Sequence, residues 1–279
     1  MRVLPFIFLL LAATARAGDV FDMHVHLHDA ANSARAFEAD AASAKLELAG
    51  YAGMWFGGPN QAAQGDPAAI RAANDAQLAL AKEHPKMLPV ATVHPYDGEA
   101  ALAEVARVAG LGCKVLKLHP HTQQFDAADP RVLAIAKRAG ELGLVVMFDN
   151  ANILPGDSEK LFNLAVQAPK TKFLFAHIGA MNFRFWNVLP MARTADAFFA
   201  DNIHFDLSGT ITVVADSPLE PEFVWTLRNV GIDRVLLGSD YPQFSLASSV
   251  EALDRLDLTE AEKAKIRVGN ARRLFGLAP

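Results

Sequence analysis

The 279-residue sequence predicts an α/β protein, a closed (β/α)8 barrel, on three observations. Eight short β-rich runs recur along the chain, longer amphipathic stretches separate them, and polar residues gather at the C-terminal ends of the runs. Near-continuously apolar strands joined through helices describe a parallel sheet. Each parallel connection needs a crossover, and a strand buried on both faces has no polar side. Eight such units in about 260 residues close a barrel. An open doubly wound sheet would carry a Gly-rich phosphate turn after its first strand, and none follows here.

The strand runs are 20–26, 52–56, 88–94, 114–119, 144–149, 172–177, 203–208 and 234–240. Between them, stretches such as 66–83, 98–109, 130–142, 158–168 and 220–230 carry helical periodicity, in a strict alternation of eight strands and eight helices. The last helical stretch, 259–274, opens on Thr259-Glu260-Ala261-Glu262, a capping pattern, and is expected to close the barrel floor or side. No linker or charge run divides 18–279, so one barrel domain is expected there.

Residues 1–17 have the layout of a cleavable secretory signal: Met1-Arg2, an apolar run over 3–13, then Ala15-Arg16-Ala17. That run falls short of the ~20 residues that span a bilayer, so export without a stable membrane anchor is expected, to the periplasm in a cell with two membranes. Cys113 is the single cysteine, which leaves the core alone to stabilise the exported chain. A net charge of -5 with no Lys/Arg cluster argues against a nucleic-acid partner and for a small-molecule substrate. A homo-oligomer is one assembly the chain could form.

His24, His26, His94, Lys117, His119, Asp149, His177, Asp206, Ser208 and Asp240 all fall at predicted strand ends, which converge on the face where barrel enzymes carry their chemistry. Side chains at i and i+2 of a strand share a face, so both imidazoles of His24-Val25-His26 can reach one ion. Asp240, at the end of the last strand, neighbours them once the barrel closes. His94, before Pro95, reads as structural. Aromatic and polar loop residues should shape a pocket: Trp55 and Phe56, His121, Asn150 and Asn152, and the stretch 181–186.

Six segments resemble the amidohydrolase superfamily of metal-dependent TIM barrels, in particular its amidohydrolase-related (amidohydrolase 2) branch. They are Phe21-Asp22-Met23-His24-Val25-His26, Lys117-Leu118-His119-Pro120, Phe175-Ala176-His177-Ile178-Gly179, Asp206-Leu207-Ser208-Gly209, Gly238-Ser239-Asp240-Tyr241-Pro242 and Gly269-Asn270-Ala271-Arg272-Arg273-Leu274-Phe275. Their order and spacing run through nearly the whole mature chain. The resemblance implies that His24, His26 and Asp240 hold a divalent metal, usually zinc, with manganese as an alternative. Asp240 would also move protons, and His177 would bind or protonate substrate or complete the metal site. Relatives usually carry a metal-binding histidine at the end of strand five, where this chain has Asp149. Asp149 either replaces it as an oxygen ligand, caps the next helix, or pairs with Lys117.

Lys117, His119, Asn150, Arg184 and Trp186 are the candidate substrate contacts, with Arg184 the anchor for an anionic group. The expected reaction is hydrolysis of an ester, lactone or amide: a metal-bound water is activated, Asp240 takes its proton, and His177 with Lys117 steadies the oxyanion. Non-oxidative decarboxylation of a small carboxylic acid is the alternative, and a non-catalytic periplasmic barrel a third reading.

Overall fold

The computed structural model describes residues 19–55, 62–195 and 197–277. The expected signal segment, 1–17, and Phe56 lie outside the described residues. Eight parallel strands follow one another around the barrel in sequence order: β1 Asp19–His26, β2 Glu47–Met54, β3 Met87–Thr92, β4 Val115–Leu118, β5 Val145–Phe148, β6 Lys172–Phe175, β7 Ile203–Asp206 and β8 Val235–Leu236. Among the described residues no helix is long and apolar enough to cross a membrane.

Side chains of alternate strand positions fill the barrel. Phe21, Met23, Ala52, Val115, Val145, Met147, Leu174 and Leu236 form one buried cluster, and Phe275 stacks on Phe21 with ring centroids 6.2 Å apart. The C-terminal helix Asn270–Phe275 therefore plugs the floor, and Thr259 and Glu262 make the reciprocal capping box at the start of that stretch. A larger apolar layer lies between the strands' outer faces and the helices. Helices Pro67–Glu83, Glu99–Gly110, Pro130–Glu141, Asp157–Gln167 and Glu220–Val230 match their periodicities to within a residue at each end.

Three departures from the sequence reading bear on the site. β2 begins at Glu47, five residues early, with Gly50 in its middle. A Cβ there would stand 2.9 Å from the Phe21 ring, so a glycine that reads as a strand breaker is the residue that close packing requires. After β6 no long helix follows. The stretch Ala176–Val188 is a series of short turns, with positive φ at His177 (61°), Ile178 (44°) and Ala180 (46°). A β-branched residue there is strained, and such strain persists where the surrounding structure over-determines it.

β8 is only two residues long. Beyond it the chain closes the barrel through single hydrogen bonds to β1: Met23 N donates to Leu237 O (2.9 Å), Asp240 N to His24 O (2.9 Å) and His26 N to Tyr241 O (2.8 Å). Gly238 permits this close approach, since a Cβ there would lie 3.1 Å from both His24 Cβ and Ser208 Cβ.

Candidate active site

The barrel's C-terminal mouth holds a cavity of about 480 Å³. His26, His119, Asp149, His177 and Asp240 form its polar base. Each stands at or just past a strand end, where the ladder stops and side chains turn toward the axis.

Three donor atoms converge at the β1/β8 seam. His24 Nε2 lies 3.1 Å from His26 Nε2, and Asp240 Oδ1 lies 3.4 Å and 3.2 Å from these two nitrogens. An ion with bonds of about 2.1 Å in tetrahedral geometry separates its ligands by about 3.4 Å, so the spacing suits a divalent cation. Two imidazole nitrogens this close repel unless a proton or a metal lies between them. Burial and the neighbouring Lys117 cation push the His24 pKa down to about 4, which leaves Nε2 unprotonated at neutral pH, its lone pair facing Lys117 Nζ as well as the trio.

The other ring nitrogen of His24 is fixed from behind. Nδ1 lies 2.9 Å from Ser208 Oγ and 3.4 Å from Asp206 Oδ2. Asp206 is fully buried, and its Oδ1 accepts from His177 N (3.1 Å), Ser208 N (2.9 Å) and the Ser208 hydroxyl. Ser208 therefore accepts the Nδ1–H of His24 and passes its own hydrogen to Asp206. This selects the tautomer that aims Nε2 at the trio, the arrangement that orients metal-binding histidines. Asp22 ties the same seam together: its carboxylate accepts from His24 N (3.0 Å), Ser239 N (2.9 Å) and Ser239 Oγ (2.5 Å).

Asp149 faces elsewhere. Its Oδ2 lies 3.0 Å from His177 Nε2 and 3.4 Å from His119 Nε2. Among the described residues two triads of donors converge, His24/His26/Asp240 and His24/His177/Asp206, and Asp149 is in neither. Both nitrogens of His177 meet acceptors, Asp149 Oδ2 and, at 2.8 Å, Ser208 O. Burial opposes a charge on His177, but the hydrogen bond to Asp149 and that carboxylate's field overcome it, raising the pKa to about 9. Burial likewise disfavours the Asp149 carboxylate, yet His119 and His177 hold its pKa well below the ordinary range. Asp149 and His177 are a buried ion pair set in the cavity base.

Lys117 is fully buried under the cavity, with Nζ 3.2 Å from His24 Nε2. Burial lowers its pKa against the pull of Asp149, Asp206 and Asp240. His119 lines the cavity, and burial lowers its pKa to about 4. The remaining expected contacts do not line this cavity. Arg184 is an exposed residue in a bidentate pair with Glu222 (2.7 and 2.6 Å), because the turns after β6 carry it out toward helix Glu220–Val230. Trp186 is buried between Phe175 and Phe205, with centroids 5.1 and 4.9 Å away. Asn150 is buried and donates to Ser158 Oγ at 3.1 Å. His94 is structural, since Nε2 donates to Gln123 O (2.8 Å) and Nδ1 accepts from Tyr96 N (3.1 Å).

Sequence reasoning missed several lining residues: His28, Thr122, Val213, Gln243 and Phe244. His28 had a readable signal. His24-Val25-His26-Leu27-His28 continues the period of two, and the His26 and His28 rings stack at 5.9 Å. Asp206 and Ser208 were legible as polar strand-end residues, but their part in orienting His24 and His177 was not.

A γ-resorcylate decarboxylase from Rhizobium sp. is 25% identical over 124 residues, 39% of this chain and 35% of that protein, so the chain matches about a third of its length. The solved 5-carboxyvanillate decarboxylase of Sphingomonas paucimobilis superposes with TM-score 0.70 at 18% identity, covering 93% of this chain and 99% of that one. A dihydroxybenzoic acid decarboxylase from Polaromonas sp., solved with manganese and 2-nitroresorcinol, gives TM-score 0.67 at 16% identity, covering 93% and 97%. These similarities run to decarboxylases and overturn hydrolysis as the expected reaction. The amidohydrolase family model matches residues 21–277, nearly the whole described barrel, and the chain belongs to that family.

Proposed function

We propose that the protein is a divalent-metal-dependent, non-oxidative decarboxylase of a small aromatic acid, with manganese ahead of zinc as the metal. The observation that carries this reading is that the His24/His26/Asp240 triad and the His177–Asp149 pair share one cavity, in a chain whose curated relatives are decarboxylases. His24, His26 and Asp240 would hold the ion. When bound, it supplies a positive centre that orients the substrate carboxylate and steadies charge that develops on the ring.

The reaction replaces the ring–carboxylate bond by a ring–hydrogen bond. One proton enters from solvent, the electrons of the breaking bond remain with the ring, and carbon dioxide leaves without consuming water. Asp240 would deliver the proton. Burial would raise its pKa, but His24, His26 and His177 lower it below the ordinary value. The ionised carboxylate is the form that would hold the ion, so Asp240 would take up a solvent proton before passing it to the ring carbon. His177 lines the same cavity but is already paired with Asp149, so the charge of the incoming acid would be met by the ion.

Manganese-loaded protein in D2O with carboxyl-¹³C-labelled hydroxybenzoates tests the reading. It should release ¹³CO2 and leave deuterium on the carbon that bore the carboxylate. Turnover of an ester, lactone or amide panel with no ¹³CO2 from any acid would overturn it.

A further inference from the structure

The cavity is two-sided. Its β1, β4 and β8 side is mainly polar, with His28, His119 and Gln243 beside a single aromatic ring, Phe244. On the β5–β7 side three successive loops each contribute an apolar residue, Ile153, Met181 and Val213, which are 59%, 47% and 56% exposed. Apolar side chains left this open around the mouth of a polar cavity mark a binding surface. Among the described residues no lysine or arginine lines the cavity. Arg184 is engaged by Glu222, and Lys117 lies beneath the base.

We infer that the site selects monoacids whose remaining body is uncharged and carries an apolar substituent reaching the Ile153/Met181/Val213 rim, and that it rejects diacids. The inference rests on the decarboxylase reading for where the single carboxylate binds, at the triad. A second carboxylate, placed para to the first, would lie beside the apolar rim with no cation to pair it and would forgo the apolar contact that an uncharged substituent makes there.

The test uses manganese-loaded protein and two 2-hydroxybenzoates that differ at the para carbon, one bearing propyl and the other carboxylate. Calorimetric affinity and CO2 release are both measured. The propyl acid should bind, and if turned over react, at least about tenfold better, on the scale of pocket discrimination by apolar contacts. Val213→Arg, outside the triad and the ion pair, should bring the diacid to parity or beyond. A diacid that binds as well as the propyl acid, or a ratio unmoved by a folded Val213→Arg, overturns the inference. The stated affinity ratio without CO2 release from either acid overturns the decarboxylase reading and leaves the selectivity standing.

Discussion

Asp206→Asn changes one atom's chemistry and should weaken the metal centre from behind it. Asp206 Oδ1 accepts from three donors, His177 N, Ser208 N and the Ser208 hydroxyl, so the variant's amide oxygen must stay at that position. The amide NH2 then falls where Oδ2 stands, 3.4 Å from His24 Nδ1. Donor would face donor. The relief available to His24 is to move its hydrogen to Nε2, the nitrogen that faces His26 and Asp240. Losing an orienting partner of this kind costs about 10–100-fold in metal affinity, and the upper end is expected because the ligand lone pair itself is removed. That is about 1.4–2.7 kcal/mol. Calorimetric titration of metal-free protein with MnCl2 measures it, with circular dichroism as the check on folding and ¹⁵N-histidine NMR reporting the tautomer. A folded variant with wild-type manganese affinity would refute the argument, as would a His24 ring that keeps its hydrogen on Nδ1.

Three further outcomes are expected. Asp240→Asn should lower kcat by about 10²–10⁴, the range for a lost proton-transfer group, measured as CO2 release at saturating manganese. Arg184→Ala should leave KM for the acid unchanged and barely move the urea unfolding midpoint, since an exposed ion pair with Glu222 contributes little. A raised KM would return Arg184 to the substrate. His204, on the floor side of β7, has its pKa lowered to about 4 by burial and by the Arg234 cation. The unfolded imidazole takes its proton near 6.5, so between 6.5 and about 4 the unfolded state binds more protons, and stability falls as the pH falls through that window. The full loss is about 3 kcal/mol for this group, and His204→Gln should flatten the stability–pH profile by that order. A variant profile parallel to wild type would exclude His204 as a source of the slope.

The barrel was legible because its strands are buried on both faces, which writes each as an apolar run, and because helices such as Pro130–Glu141 carry one apolar stripe. Strand ends were less legible: the ladder stops one or two residues before Asp149, His177 and Ser208, where the backbone turns to aim the side chains inward. The 176–188 turns were not legible, since they place positive φ at His177, Ile178 and Ala180, residues whose local preferences say otherwise. The His24/His26 pair followed from a period of two, whereas the Asp149–His177 pair joins residues 28 apart and depends on the register of β5 against β6. Arg184 lies away from the cavity because its direction is set by the irregular turns, not by its position in the sequence.

The most direct test is stoichiometric. Metal-free protein is titrated with manganese while CO2 release from a hydroxybenzoate is followed. The expected result is activity that rises linearly and breaks at one ion per chain, with His26→Ala, still folded, showing neither the break nor the activity. Equal CO2 release from chelator-treated protein, or an undiminished break in His26→Ala, would contradict the assignment of His24, His26 and Asp240 as the centre on which decarboxylation depends.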